Sequence, residues 1–202
     1  MAKAPKPQKS TSRPAKPARS VVLVGMMGAG KSTIGRRLAA RLAIPFVDAD
    51  AEIERAAGQT VREIFDTHGE DEFRRGEERV ISRLLEGERK VIATGGGAFV
   101  NDRTRKRIKD KGVSIWLRAE IPVLLERVSR NNTRPLLKRG DPESVLRKLA
   151  DERYRYYEQA DIVVDSSTGP HRDVVDAIVK KLRDIELAPK GQGPSKEAAA
   201  TR

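Results

Sequence analysis

The chain has 202 residues, and its 41 lysines and arginines against 29 aspartates and glutamates give a formal net charge of +12. This length fits one domain or a small pair, and the composition excludes collagen-like, coiled-coil and fully disordered chains. The absence of cysteine excludes disulfides, thiolate zinc sites and cysteine nucleophiles. No apolar run reaches the roughly 18 residues of a membrane helix, and no apolar signal core follows the basic N-terminus. We therefore expect a cytoplasmic protein.

Much of the charge lies at the N-terminus. Residues 1–19 carry half of the net positive charge, no acidic residue and four prolines, which is typical of a disordered basic tail. Residues 188–202 repeat Gly, Pro, Ala and Lys and predict a second disordered tail. The predicted folded domain therefore covers residues 20–187. For the basic tail, a solubilising extension is favoured over an arm for nucleic acid or an anionic surface, and an organelle transit peptide is a smaller alternative.

Short apolar runs alternate with helical patterns throughout the predicted domain. In chain order they predict a strand at 20–24, a helix at 32–42, a strand at 45–48, a helix at 49–57, a capped turn from Thr60 with Glu63, a helix at 71–85, a strand at 90–94, a helix capped by Asn101 and reaching 111, a strand at 113–117, helices at 122–129 and 142–159, a strand at 162–165 and a helix at 173–187. Residues 131–141 lack periodicity and predict a loop. This alternation favours an α/β fold in which helices cover both faces of a five-stranded parallel sheet.

A phosphate-binding motif follows the first predicted strand. Residues 25–32, Gly-Met-Met-Gly-Ala-Gly-Lys-Ser, fit G-x-x-x-x-G-K-[ST] at every fixed position. The glycines let backbone N–H groups surround a phosphate, and the following helix directs its positive end there. Lys31 can reach the β- and γ-phosphates, and the Ser32 hydroxyl can ligate Mg²⁺. A turn that binds nothing is a poor alternative in this context, so we expect a nucleoside triphosphate site.

Two carboxylates end the second predicted strand, at Asp48 and Asp50. Ligands of parallel sheets bind at the carboxyl ends of the strands, so both side chains should face the phosphates. Asp48 is suited to Mg²⁺, directly or through water. Asp50 is suited to accept a proton from an alcohol that attacks the γ-phosphoryl group. The alternative for this pair is a helix N-cap with a first-turn charge, and the two roles are compatible.

Three further segments contain candidate ligand groups. Arg74 could present a guanidinium to a carboxylate or phosphate, although an ion pair with Glu77 or Asp71 on a solvated face is favoured when it is considered alone. Three glycines at 95–97 follow the third strand and indicate backbone close to a ligand, or a plain turn. The basic residues at 130–140 suit a mobile lid, or else a solvated loop. Residues 152–157 combine cations with aromatics, which suits nucleic acid or one inward arginine.

Taken together, these segments resemble those of shikimate kinases. The matching segments are the phosphate loop, Asp48-Ala49-Asp50, Phe65…Gly69-Glu70…Phe73-Arg74…Glu77, Gly95-Gly96-Gly97, Arg134-Pro135-Leu136-Leu137 and Arg153…Tyr157…Ala160-Asp161. The phosphate loop is shared with many nucleotide enzymes, but the whole set in this order is specific. The resemblance covers about residues 21–182 and leaves both tails outside.

The resemblance implies ATP-dependent phosphorylation of the 3-hydroxyl of shikimate, on the route to aromatic amino acids, by a kinase of the nucleoside-monophosphate-kinase type. The implied ATP-binding residues are Gly28, Ala29, Gly30, Lys31, Ser32, Thr33 and the lid residue Arg134. The implied substrate residues are Asp50 on the ring hydroxyls, Arg74 and Arg153 on the carboxylate, and Gly96. We expect Lys31, Asp50 and Arg134 to be catalytic, and Ser32 and Asp48 to hold Mg²⁺. We further expect a monomer that binds neither membranes nor nucleic acid.

Two alternatives remain open at this point. One is another small-molecule kinase of the same fold, such as a gluconate kinase. The other is a nucleic-acid-binding P-loop ATPase, which the net charge of +12 and the aromatic residues Tyr154, Tyr156 and Tyr157 suggest. Half of the excess charge lies in the N-terminal tail rather than in the predicted domain, which counts against the second alternative.

Overall fold

Five parallel strands form one sheet in the computed structural model, which describes residues 19–130, 141–166 and 169–187. The strands are β1 (Ser20–Val24), β2 (Phe46–Asp48), β3 (Val91–Ala93), β4 (Gly112–Arg118) and β5 (Ile162–Asp165). Their order across the sheet is β2-β3-β1-β4-β5, and every neighbouring pair is parallel. The C-terminal ends of β2, β3 and β1 are therefore adjacent at one edge of the sheet.

The strands are linked by helices, as parallel connections require. The helices are α1 (Lys31–Leu42), α2 (Ala49–Ala57), α3 (Val61–Glu86), α4 (Asp102–Lys111), α5 (Ile121–Ser129), α6 (Pro142–Tyr157) and α7 (His171–Leu187), with a short 3₁₀ helix at Ala98–Val100. Every residue of β1 is buried. Because successive side chains of a strand point to opposite faces, both faces of the sheet must be covered. The predicted fold class is confirmed.

The largest departure from the predicted elements is α3. The sequence predicts a capped turn at Thr60 and a separate helix over residues 71–85, whereas the two form one kinked helix. The capping box is present: the Thr60 hydroxyl accepts a 3.2 Å hydrogen bond from Glu63 N, and Thr60 N donates to the Glu63 carboxylate at 2.7 Å. Gly69 has φ 80° and ψ 174°, which a residue without Cβ adopts easily. The chain therefore bends at Gly69 while both halves remain helical.

Smaller differences concern other helix ends. Helix α7 begins at His171 rather than at residue 173, and α6 ends at Tyr157 rather than at residue 159. Asp141, predicted as loop, is the N-cap of α6, where its carboxylate accepts a 2.9 Å hydrogen bond from Ser144 N. The predicted lid at residues 131–140 and both predicted tails, apart from Arg19, lie outside the described residues. Among the helices that are described, none is long and apolar enough to cross a membrane.

Candidate active site

The phosphate-binding loop connects β1 to α1 at the C-terminal edge of the sheet. Gly25, Gly28 and Gly30 have φ of 136°, 80° and 86°, values that favour glycine. Gly30 is the N-cap of α1 and Lys31 its first residue, so the first N–H groups of the helix open toward the loop. The Lys31 ammonium donates hydrogen bonds to Gly25 O (2.9 Å) and Met26 O (2.8 Å). The cation therefore lies within the loop where a phosphate would bind.

Ser32 and Asp48 are in direct contact beside this loop. The Ser32 hydroxyl donates a 2.7 Å hydrogen bond to Asp48 Oδ2. Asp48 is also the N-cap of α2, and its Oδ1 accepts a 3.2 Å hydrogen bond from Asp50 N. The Asp-x-Asp pair thus caps a helix and also faces the loop, so the two interpretations of the sequence are compatible. A hydroxyl beside a carboxylate is a donor set that suits Mg²⁺ together with phosphate oxygens.

The glycine turn, residues Gly95, Gly96 and Gly97 after β3, is bordered by charged side chains. A Cβ built on Gly95 would lie 2.8 Å from both Asp50 Oδ1 and Glu77 Oε1, and one on Gly96 would lie 3.1 Å from Arg153 Nη1. The same atom on Gly96 would lie 3.7 Å from Gly25 O, so the turn also abuts the phosphate loop. The turn therefore packs against charged side chains, and backbone close to a ligand stays a prediction.

Arg74 extends from α3 over Gly97. A Cβ built on Gly97 would overlap the Arg74 guanidinium, so a side chain at position 97 would displace Arg74. The guanidinium donates to Glu77 Oε2 at 2.7 Å and to Glu70 Oε1 at 3.0 Å. The predicted ion pair with Glu77 is therefore present, but not on a solvated face, because Glu77 is only 1% exposed. Arg74 is both ion-paired and directed at the glycine turn.

The electrostatics of this pair follow from its burial. Burial raises the pKa of the Glu77 carboxyl, although the charge and hydrogen bond of Arg74 act to lower it; the nearby Asp50 adds to the increase. Burial acts to lower the pKa of Arg74, but the charge and hydrogen bond of Glu77, together with Glu70, raise it overall. The guanidinium therefore stays charged and can bind an anion.

Helix α6 reaches the glycine turn from the other side. Arg153 lies at Gly96, as described above, and Tyr157 one turn later donates a hydrogen bond from its hydroxyl to Gly96 O. Tyr157 is fully buried. Among the residues that the sequence associates with the substrate, Asp50, Arg74 and Arg153 thus converge on the three glycines next to the phosphate loop.

Not every predicted site residue can be placed. Arg134 lies in the undescribed segment, and Thr33 is exposed on the first turn of α1. The sequence gives no site role to two buried residues, Glu77 and Tyr157, although both stand in the segments that carry the resemblance. The spacing of Glu77 three residues after Arg74 signalled a pair, but its burial depends on packing between α3 and the glycine turn. Tyr157 stands in an aromatic cluster and in the segment Arg153…Tyr157…Ala160-Asp161, but neither pattern predicts its contact with Gly96.

A phosphate loop at the edge of a five-stranded parallel sheet, with charged side chains gathered opposite it, defines a P-loop kinase for a small molecule. A family model described as shikimate kinase matches residues 27–183. The chain belongs to the shikimate kinase family.

Individual relatives agree with this assignment. The shikimate kinase of Rhodopseudomonas palustris is 58% identical over 170 residues, which is 84% of each chain. That of Bradyrhizobium diazoefficiens is 57% identical over 82% of this chain and 80% of its own. Among solved structures, the shikimate kinase from Acinetobacter baumannii in complex with shikimate is similar with a TM-score of 0.80 and 37% identity, covering 84% of this chain and 96% of that chain.

Proposed function

We propose that this chain transfers the γ-phosphoryl group of ATP to the 3-hydroxyl of shikimate and releases shikimate 3-phosphate and ADP, a step in aromatic amino-acid biosynthesis. The observation that carries the proposal is the convergence of Asp50, Arg74 and Arg153 on the glycine turn beside the phosphate loop. A small acceptor with one carboxylate and several hydroxyls needs cations near its carboxylate and a protein carboxylate near its hydroxyls. Arginines and an aspartate lie within reach of the phosphate loop here.

The arginines would bind the carboxylate of the acceptor. Each guanidinium offers a planar fork of N–H donors that matches a carboxylate. Arg74 approaches the glycine turn from α3 and Arg153 from α6, so together they would fix the orientation of the ring as well as supply charge. Asp50, on the same side of the turn, would accept hydrogen bonds from the ring hydroxyls and hold the proton of the attacking one.

The phosphate loop would bind and orient ATP. The glycines and the N-terminus of α1 would surround the phosphates, and Lys31 would move from the carbonyls of Gly25 and Met26 to the β- and γ-phosphates. Its charge would stabilise the additional negative charge on the transferring group. We assign Arg134, which lies outside the described residues, the same role from a lid over the nucleotide.

Mg²⁺ is the metal we propose for this site. Ser32 and Asp48 fit it because an oxygen donor and a carboxylate oxygen lie 2.7 Å apart beside the phosphate loop. When bound, the ion neutralises charge on the phosphates of the nucleotide.

We also propose a monomer in the cytoplasm, with the folded domain at residues 20–187 and tails at 1–19 and 188–202.

The alternatives that the sequence left open are less well supported. The gluconokinase from Sinorhizobium meliloti has a TM-score of 0.60 but only 20% identity, so it shares the fold alone. For a nucleic-acid-binding ATPase the aromatic cluster of α6 would have to offer open ring faces. Tyr157 is instead fully buried, and Tyr154 packs edge-on against Trp116 with 5.2 Å between ring centroids.

The test is acceptor-dependent formation of ADP. The purified full chain is supplied with ATP and Mg²⁺, together with shikimate, gluconate or no acceptor, and ADP is measured by a coupled assay. We expect ADP only with shikimate, and a phosphate ester at its 3-oxygen in the product. Equal ADP release without acceptor, or preference for gluconate, would contradict the proposal.

A further inference from the structure

The hydroxyl of Tyr157 connects α6 to the glycine turn. It donates a hydrogen bond to the carbonyl oxygen of Gly96. The ring is enclosed by Trp116, whose centroid is 5.8 Å away, by Tyr154 at 6.3 Å, and by Met26 of the phosphate loop, whose Sδ lies 4.0 Å from the hydroxyl. Tyr157 is thus held in the core while its polar end reaches the substrate side of the sheet.

The side chains of Arg153 and Tyr157 both lie against Gly96. They are four positions apart on α6, so their side chains lie on the same face of the helix. Arg153 Nη1 lies 3.1 Å from the place of a Cβ on Gly96, and the Tyr157 hydroxyl binds the carbonyl of that residue. The position of the Arg153 guanidinium relative to the glycine turn therefore depends on how firmly α6 is attached there.

The hydroxyl keeps its proton in this place, so it donates to Gly96 O while its oxygen can accept from Arg153. Burial raises the pKa of Tyr157 to about 12, although the charge and hydrogen bond of Arg153 act to lower it. The phenol therefore keeps its proton at neutral pH. A carbonyl inside a protein needs a donor, and removal of that donor leaves it unsatisfied.

We propose that Tyr157 is a positioning residue for the acceptor substrate, because its hydroxyl fixes the Gly96 peptide and thereby sets the spacing between the glycine turn and Arg153. The inference rests on the proposed function, since it takes the glycine turn and Arg153 to be the acceptor site. Without the hydroxyl, Gly96 and Arg153 lose their common anchor and the acceptor site loosens. The phosphate loop loses only the weak 4.0 Å contact of Met26 Sδ and keeps the hydrogen bonds of Lys31.

The chain offers a matched pair of variants on the same helix. Tyr157→Phe removes the hydroxyl at Gly96 and keeps the ring. Tyr154→Phe removes a hydroxyl that donates to Ala119 O at 3.3 Å and also keeps its ring. Shikimate affinity is measured by calorimetry without nucleotide, and the KM for each substrate by saturation curves. Tyr157→Phe should raise the shikimate Kd and KM about tenfold, as expected when a buried hydrogen bond is lost.

Three further readouts separate positioning from general support of the fold. In Tyr157→Phe the KM for ATP should stay within about twofold of wild type, and Tyr154→Phe should keep wild-type values for both substrates within the same margin. Melting temperatures are measured for both variants. If Tyr157→Phe is unfolded at the assay temperature, its shikimate Kd is obtained from the concentration of shikimate that restores the far-ultraviolet signal.

The outcomes are distinguishable. Wild-type shikimate affinity in Tyr157→Phe, whatever its melting temperature, would overturn the inference and leave the proposed function standing. Equal losses for shikimate and ATP, or equal losses in both tyrosine variants, would likewise mean that the hydroxyl only supports the fold. If the wild-type protein itself neither binds nor phosphorylates shikimate, the proposed function fails and the inference fails with it.

Discussion

The hydroxyl of Ser32 and the carboxylate of Asp48 are joined by a 2.7 Å hydrogen bond between the first turn of α1 and the end of β2. These two residues are 16 positions apart in the chain. They meet because the C-terminal ends of β1 and β2 lie at the same edge of the sheet. The contact places two hard oxygen atoms side by side at the phosphate loop. It therefore leads to a prediction about the metal requirement.

Ser32→Ala and Asp48→Asn should each raise the Mg²⁺ concentration required for half-maximal activity by about tenfold or more, because each removes an oxygen ligand or its charge. Asparagine still caps a helix, so Asp48→Asn should fold normally. Activity is measured against Mg²⁺ at saturating ATP and shikimate. Ser129→Ala is the control, because its hydroxyl is exposed and donates to Leu125 O at 2.7 Å on its own helix. An unchanged Mg²⁺ requirement in both site variants would contradict the metal assignment.

Lys31→Ala should reduce kcat by several orders of magnitude. The ammonium supplies charge that is most needed in the transition state of phosphoryl transfer. In the structure it donates to two carbonyls of the loop and its side chain is only partly buried, so the melting temperature should change little. Steady-state kinetics and thermal unfolding measure the two effects separately. Near-normal turnover in a folded variant would exclude the proposed role.

Gly97→Ala should weaken shikimate binding without changing the backbone of the glycine turn. Gly97 has φ −93° and ψ −13°, which alanine adopts, but the added Cβ would overlap the Arg74 guanidinium. Because the Arg74 side chain is flexible, we expect the guanidinium to move away while the backbone of the glycine turn stays in place. We expect an increase of about tenfold in the shikimate Kd and an unchanged Kd for ATP, both measured by calorimetry.

Gly76→Ala on α3 is the control for this variant. A Cβ there would meet nothing within 4 Å, and alanine stabilises a helix interior by about 0.5–1 kcal/mol relative to glycine. Shikimate affinity should therefore be unchanged and stability slightly higher. If Gly97→Ala bound shikimate as tightly as Gly76→Ala does, shikimate binding would not depend on the position of the Arg74 guanidinium over Gly97.

The buried Glu77 predicts a pH dependence of stability. Burial raises the pKa of this carboxyl, so its contribution to stability is present below its ordinary pKa of about 4.5 and is lost as the pH rises through the raised value. Glu77→Gln has no charge to bury. With increasing pH, the difference in unfolding free energy should therefore shift in favour of the variant and then level off. Denaturant unfolding across this pH range tests the sign, and a shift in favour of wild type would contradict it.

The fold and part of the site could be predicted because they depend on local patterns. Buried strands read as apolar runs, and the phosphate loop is a continuous motif whose glycines and lysine have defined roles. The kink at Gly69 could not be predicted, because a glycine in a helical pattern can end the helix or kink it. The burial of Glu77 and the contact of Tyr157 with Gly96 depend on packing between elements far apart in the chain. Local patterns carry no information on either.

We propose that Arg74 and Arg153 hold the carboxylate of shikimate, and shikimate binding to lysine variants distinguishes this role from that of a surface ion pair. Arg74→Lys and Arg153→Lys keep the charge and lose the fork, so each should weaken binding by about 2 kcal/mol or more. Affinity for ATP without shikimate should hardly change. The matched controls are Arg75→Lys and Arg155→Lys, adjacent exposed arginines on the same helices, which should stay within about 0.5 kcal/mol of wild type.

The measurement is a shikimate titration by calorimetry on wild type and the four lysine variants, with a parallel ATP titration. We expect shikimate affinity to fall only in Arg74→Lys and Arg153→Lys, while all five proteins bind ATP alike. The role of these arginines would be excluded if the two variants bound shikimate as tightly as Arg75→Lys and Arg155→Lys do, or if their ATP affinity fell as much as their shikimate affinity.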